Sequence, residues 1–273
     1  MKTLLLTALL LLLAHTTRAE SLLNLKFGSG TKTGPAAVGA GTNDFWNHYF
    51  PTNNDGTLFD PGLLLPLFDW NGTNLGAGLL MMNVQTSVVT SITEPLFGSY
   101  LAVTETNLYL TITNLPPASY DVYVYAHGED AAQNSAVRVV AAWSDHGWLV
   151  TTNSENWGSL EWAEGVQYVV FRDVMVPSGQ ALAITISPDA SSVALLNGIQ
   201  FVVNDLATNR DTDGDGLTDL DELTRGTNPR AVSTLNDGIG DWVKVLQGRN
   251  PLKASVTAYQ GLAPRLRVHT PLE

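Results

Sequence analysis

Between residues 107 and 128 the chain reads NLYLTITNLPPASYDVYVYAHG, and its apolar side chains recur at every second position. That period alternates side chains between the two faces of an extended strand and does not suit a helix. Leu108, Leu110 and Ile112 point one way. After NLPPAS, Tyr120, Val122 and Val124 share one face, and Asp121, Tyr123 and Tyr125 share the other. Pro116 and Pro117 lack the amide hydrogen a ladder needs, so they belong to the connection, and the two strands are expected to form a hairpin. The same period marks residues 136–143, 166–176, 181–187 and 197–203, with earlier candidates at 22–28 and 79–89. Short strands divided by Gly, Pro and Asn, without amphipathic helices between them, predict an all-β fold: an antiparallel β-sandwich or jelly roll.

In that order, NLPPASYDVYVYAHG, EGVQYVVFRDVMVPSGQALAITIS and LLNGIQFVV resemble the galactose-binding-like or malectin-like sandwiches of secreted bacterial proteins. An LP-x-G-x-Y-x-V-x-V-Y hairpin and a closing NGIQ strand recur in those domains; here Ala118 replaces the usual glycine. VGAGTNDFWN (38–47) fits the same pattern, and the resemblance spans residues 22–204. Many such domains are carbohydrate-binding modules. The resemblance therefore implies an extracellular glycan, or a cell-surface or matrix component, as partner, while the fold alone assigns no ligand.

The N-terminus agrees with export. Lys2, an apolar run over residues 4–14 and the small Ala19 read as a cleaved secretory signal over 1–19, too short for a bilayer span. No second such run follows, so membrane insertion is not expected. The chain has no cysteine, which excludes disulfides, thiolate metal sites and a cysteine nucleophile. A formal charge of −12 excludes nucleic acid and anionic membranes as natural partners.

Within the sandwich, Trp148 and Trp157 lie in the polar stretch DHGWLVTTNSENWGSLEW, outside the clearest strands. Flat aromatic faces pack against the C–H face of a sugar ring, so these two are candidate platforms. His127 and Asp130, in AHGEDAAQN, are candidates for gripping hydroxyls, against the alternative of a solvated loop. Glu155, Glu161 and Glu164 are a carboxylate group of the kind a glycosidase uses, but no G-x-S-x-G, H-E-x-x-H or phosphate-binding glycine loop is present.

After residue 205 the composition changes. DTDGDGLTDLDE (211–222) packs six acidic side chains into twelve residues. Like charges that close repel unless a cation neutralises them. An EF-hand-type loop places side-chain oxygens at positions one, three and five, glycine at six, a main-chain carbonyl at seven, a water-mediated group at nine and a bidentate Glu at twelve. These positions are filled by Asp211, Asp213, Asp215, Gly216, Leu217, Asp219 and Glu222. The donor set suits calcium. Followed by GTNP, it resembles the thrombospondin type 3-like calcium repeats of secreted bacterial proteins, with dockerin loops the competing resemblance.

DGLTDLDELTRGTNP recurs as DGIGDWVKVLQGRNP 22 residues later. Each copy reads as a loop, a short helix and a Gly-x-Asn-Pro stop. In the second copy Ser233, Leu235 and Lys244 replace Asp211, Asp213 and Glu222, so it is degenerate as a metal loop, while Asp237 and Asp241 remain and are candidates to reach the first ion. The resulting division is a signal (1–19), a sandwich (20–205), a calcium-binding repeat segment (206–252) and a tail or final strand (253–273). The expectation is a secreted, non-catalytic, carbohydrate-binding protein with a calcium-stabilised spacer, the repeat segment being available to a protein partner. A hydrolase with carboxylates on the sandwich loops and an adhesion or matrix protein without a small ligand are the alternatives.

Overall fold

The computed structural model describes residues 21–39, 41–50, 63–130, 132–152, 161–204 and 210–254. The leader, Glu155, Trp157 and most of the tail lie outside the described residues. Fourteen strands precede two short helices among those described. The strands are β1 (Ser21–Phe27), β2 (Asn47–Tyr49), β3 (Leu65–Phe68), β4 (Asn74–Met82), β5 (Thr86–Val89), β6 (Ser99–Thr104) and β7 (Leu108–Thr113). They continue as β8 (Ala118–Tyr125), β9 (Ser135–Ala141), β10 (Ser144–Val150), β11 (Tyr168–Val176), β12 (Leu182–Pro188), β13 (Val193–Leu196) and β14 (Gly198–Val203). The helices are α1 (Asp219–Arg225) and α2 (Asp241–Leu246).

The strands form a five-stranded sheet, β11-β8-β14-β1-β2, a six-stranded sheet, β10-β9-β12-β7-β4-β3, and a smaller sheet, β13-β6-β5. Pairing is antiparallel except between β1 and β2. The two larger sheets close on one apolar core, in which Leu110 and Ile112 from one sheet meet Val122, Ile199 and Phe201 from the other. The protein is thus an all-β antiparallel sandwich with a small helical appendage.

One expected pairing is not made. β7 pairs with β4 and β12, whereas β8 pairs with β11 and β14, so the two strands lie in opposite sheets. The Pro116–Pro117 segment carries the chain across the sandwich. Alternation reports which face of a strand is buried, not whether its neighbour in sequence is its hydrogen-bonded partner or faces it across the core.

The outer faces of the two large sheets differ. On the five-stranded sheet a second cluster, Trp46, Leu96, Phe97 and Tyr125 with Trp162 packed on it, covers the surface. Polar side chains beneath it are paired: Gln200 donates to Asn24 Oδ1 at 2.8 Å and accepts from the Tyr125 hydroxyl at 2.6 Å. The outer face of the six-stranded sheet carries exposed large side chains instead. The helical segment rests on the sandwich through Ser178 N–H to the Leu223 carbonyl at 2.8 Å. A second contact runs from Arg230 Nη1 to Ser144 Oγ at 3.1 Å.

Candidate functional site

The acidic stretch folds as one tight loop. Asp211 accepts from the amides of Gly214 and Gly216, Asp213 from that of Asp215, and Asp215 from that of Leu217. These bonds curl the backbone so that carboxylate oxygens of Asp211, Asp213 and Asp215 all come within 4.8 Å of one another. Gly216 has φ +104, and a Cβ there would lie 2.9 Å from Trp242 Cδ1, so glycine is required by the turn and by the indole stacked on it. The chain then enters α1, where Thr218 caps the first turn by accepting from Asp221 N–H and Gly226 ends the helix in the left-handed region.

That helix delivers Glu222 to the loop. Glu222 is fully buried, yet neither of its carboxylate oxygens has a hydrogen-bond partner, and neither does Asp213 Oδ2. Burial, then the nearby Asp213 and Asp215, pushes the Glu222 carboxyl up to about 8. Burial also raises Asp213. Buried carboxylate oxygens without donors are costly unless a cation faces them. Three converging aspartates, with a buried Glu222 beside them and unpartnered oxygens on Asp213 and Glu222, are the donor chemistry of a hard divalent ion, and they fit calcium.

The remaining expected ligands are placed as follows. Leu217 has its side chain buried, and its amide donates to Asp215. Asp219 is turned to the loop itself: Oδ1 accepts from Thr212 N–H at 2.9 Å, and Oδ2 accepts from Thr212 Oγ1 at 2.7 Å and Arg210 Nε at 3.2 Å. It braces the loop at position nine. Asp241, one repeat later, holds Thr234 N–H and Oγ1 with Oδ2, which leaves its fully buried Oδ1 with no hydrogen-bond donor. Asp241 also lies near enough to help raise Glu222, and Trp242 N–H donates to Asp215 Oδ2 at 3.1 Å. The second repeat thus presents an acid to the first loop. The 22-residue repeat made Asp241 a candidate, whereas nothing in the sequence marked the contacts of Trp242.

On the sandwich, Trp148 stands on β10, a strand, and not in a loop. It is 47% exposed, and the Arg138 guanidinium lies 5.9 Å from its ring centroid. Ladder register aligns Trp148 with Arg138, Arg138 with Thr185, Thr185 with Tyr109, and Tyr109 with Met82. One row therefore crosses five strands on the open face of the six-stranded sheet. Three strand spacings, about 14 Å, separate the two aromatic residues in that row. Arg138 is ion-paired with Asp145 in a two-pronged contact, so its charge is neutralised locally.

His127 and Asp130 do not join that row. His127 is fully buried; its Nδ1 lies 2.7 Å from the Gly128 carbonyl and its Nε2 lies 3.2 Å from that of Thr152. Burial lowers its pKa. Asp130 is exposed in the following turn, where its carbonyl accepts from Gln133 N–H. Glu164 is paired with Arg172, which lowers its pKa.

No protein-family model matches the chain, and no curated protein matches it significantly. Several solved structures are similar to part of the chain. TmCBM61 in complex with β-1,4-galactotriose is 15% identical, with TM-score 0.30, over 47% of this chain and 88% of that one. The carbohydrate-binding module of Cellvibrio mixtus lichenase 5A with cellotriose is 14% identical, with TM-score 0.29, over 45% and 89%. The exo-β-1,3-galactanase of Phanerochaete chrysosporium with galactose is 18% identical, with TM-score 0.28, over 50% of this chain and 32% of that one. Overlaps of this size assign neither a family nor a ligand.

Proposed function

We propose that the protein is a secreted, non-catalytic carbohydrate-binding protein whose sandwich carries a glycan across the six-stranded sheet. The observation that supports this reading is the in-register row Trp148, Arg138, Thr185, Tyr109 and Met82. An exposed indole and a phenol ring offer faces for pyranose C–H surfaces, and Thr185 and the Arg138–Asp145 pair offer hydroxyl partners between them. The charge of −12 and the neutralised Arg138 favour an uncharged oligosaccharide over a polyanion. Glu164, held ionised by Arg172, is poorly suited to serve as a general acid, which favours binding over hydrolysis.

In the same reading the segment after the sandwich is a calcium-stabilised spacer or attachment module. Asp211, Asp213, Asp215 and Glu222 hold the ion, the Leu217 carbonyl stands at position seven, and Asp241 completes the site from the second repeat. When bound, calcium offsets the repulsion among these acids, and the chain supplies a loop already curled by its own amide bonds.

A glycan array with the wild-type chain, Trp148→Ala and Tyr109→Ala tests the sandwich assignment. Neutral oligosaccharides should bind the wild type, and each substitution should weaken them by ~1–3 kcal/mol. No glycan retained by the wild type, or unchanged affinity in both variants, overturns the reading.

A further inference from the structure

The two repeats share one backbone and differ in charge at one buried position. Asp219 N–H donates to the Arg210 carbonyl and Asp241 N–H to that of Val232, 22 residues on in each case. Thr227 N–H donates to the Glu222 carbonyl at 2.9 Å, and Arg249 N–H to that of Lys244 at 2.8 Å. Thr212 and Thr234 each brace the matching aspartate with N–H and Oγ1, Thr212 through both oxygens of Asp219 and Thr234 through Oδ2 of Asp241 alone. Lys244 thus occupies in the second repeat the place of Glu222 in the first.

Lys244 is fully buried. Its ammonium lies 2.9 Å from Asp237 Oδ2, 3.9 Å from Asp241 Oδ1, and donates to the Pro251 carbonyl at 3.3 Å. Asp237 is the counterpart of the ligand Asp215, and it keeps the same turn by accepting from Ile239 N–H. The Lys244 nitrogen therefore sits against the acids that an ion in the second loop would face. A carboxylate together with a divalent cation carries one net positive charge. So does an ammonium.

We propose that Lys244 is a tethered cation that replaces both the bidentate carboxylate and the metal of the second repeat. The second repeat then needs no ion of its own, and it holds Asp241 in place as a fixed arm toward the first loop. What sequence comparison alone scores as damage is, in the fold, charge compensation by a different chemical group. The inference rests on the calcium reading of the first loop for its contrast, and on Lys244 geometry for itself.

The test uses the full chain, with native mass spectrometry for calcium count and hydrogen exchange for the amides of α2, in a buffer where wild-type α2 is protected. The wild type should take up one ion. Lys244→Gln removes the charge and leaves the rest of the side chain's shape, and α2 protection should fall on the order of a hundredfold. Adding Asp237→Asn, which removes the negative charge that faced the lost ammonium, should restore part of that loss. Lys244→Glu, which sets a buried carboxylate against Asp237 and Asp241, should lower α2 protection at least as far as Lys244→Gln does. Unchanged protection in Lys244→Gln, or additive losses in the double variant, overturns the tethered-cation assignment. A wild-type chain that takes up no calcium overturns the reading of the first loop instead, and the double-variant comparison still decides the role of Lys244.

Discussion

The sandwich and the repeat segment solve burial in opposite ways. In the sandwich the buried polar groups are mostly neutral and find protein partners, as Asn24, Gln200 and Tyr125 do with one another, and the side-chain atoms left without one are neutral: Ser87, Ser119, Asn134 and His146. Among the described residues of the repeat segment every such atom is a carboxylate oxygen, from Asp213, Glu222 and Asp241. An apolar core stabilises the first region in plain water. The second is arranged around charge that water cannot reach and that only a cation can balance. On the proposed calcium reading, one chain contains a part whose order follows its core and a part whose order follows an ion.

The largest effect expected from this contrast is removal of the ion. With calcium, protease should spare the segment; with chelator, it should cut between Asn204 and Lys253 and leave the sandwich whole. Glu222→Gln should show the chelator pattern even in calcium, because a buried amide cannot supply two anionic oxygens. A fragment of residues 20–205 should melt at one temperature in calcium and in chelator. A calcium-dependent melt of that fragment would mean the contrast is drawn in the wrong place.

Next in size is the core itself. Trp46 is 1% exposed, and its indole N–H donates to the Gly34 carbonyl at 2.8 Å. Trp46→Ala should cost about 3–5 kcal/mol of sandwich stability in denaturant titrations. The same titration should leave calcium uptake unchanged, since no ligand of the loop touches this cluster.

The contrast was unevenly legible in the sequence. Period-two alternation marked the core faces of β7 and β8, because burial is a property of each strand alone. Their partners were not legible, because pairing depends on where Pro116–Pro117 sends the chain. β10 was missed because its hairpin turn is Ala142-Trp143, with Ala142 at φ 42 and none of the Gly, Asn or Pro that mark a turn. Trp148 was consequently placed outside the strands. The convergence of Asp211, Asp213 and Asp215 was legible, since spacing along a tight turn nearly determines spacing in space. Asp219 looked the same in sequence as a ligand and as a brace. Lys244 read as a lost ligand because its compensating partner, Asp237, is revealed only by the fold.

A smaller effect concerns pH in the absence of metal. Glu222 is pushed up to about 8 in the folded, metal-free chain, against an ordinary value of 4.5. Across that window the folded segment holds more protons than the unfolded one, so its stability should fall as pH rises. The contribution is fully present below the ordinary value and lost as pH passes through the folded one. Proteolysis in chelator should therefore be faster at the alkaline end of the window than at the acid end. Calcium uptake should strengthen in the same direction, because the ion displaces that proton. Equal cutting rates across the window would place Glu222 in contact with water, and the segment would lose its distinction from the sandwich.

The smallest effect on stability should come from the residue with the largest proposed effect on binding. Trp148 and Trp46 are the same side chain in one sandwich, one 47% exposed and the other 1%. Removing Trp148 opens no cavity, because its outer face already meets solvent, and its Arg138 neighbour keeps Asp145 as partner. What is lost is a cation–π contact at an exposed site, about 0.5–1 kcal/mol at most. Trp148→Ala should therefore leave the melting temperature within a degree or two of wild type, as is usual for surface substitutions of this size. If Trp148→Ala instead lowers the melting temperature as far as Trp46→Ala does, the indole belongs to the core of the six-stranded sheet, and the row it heads is not an open platform.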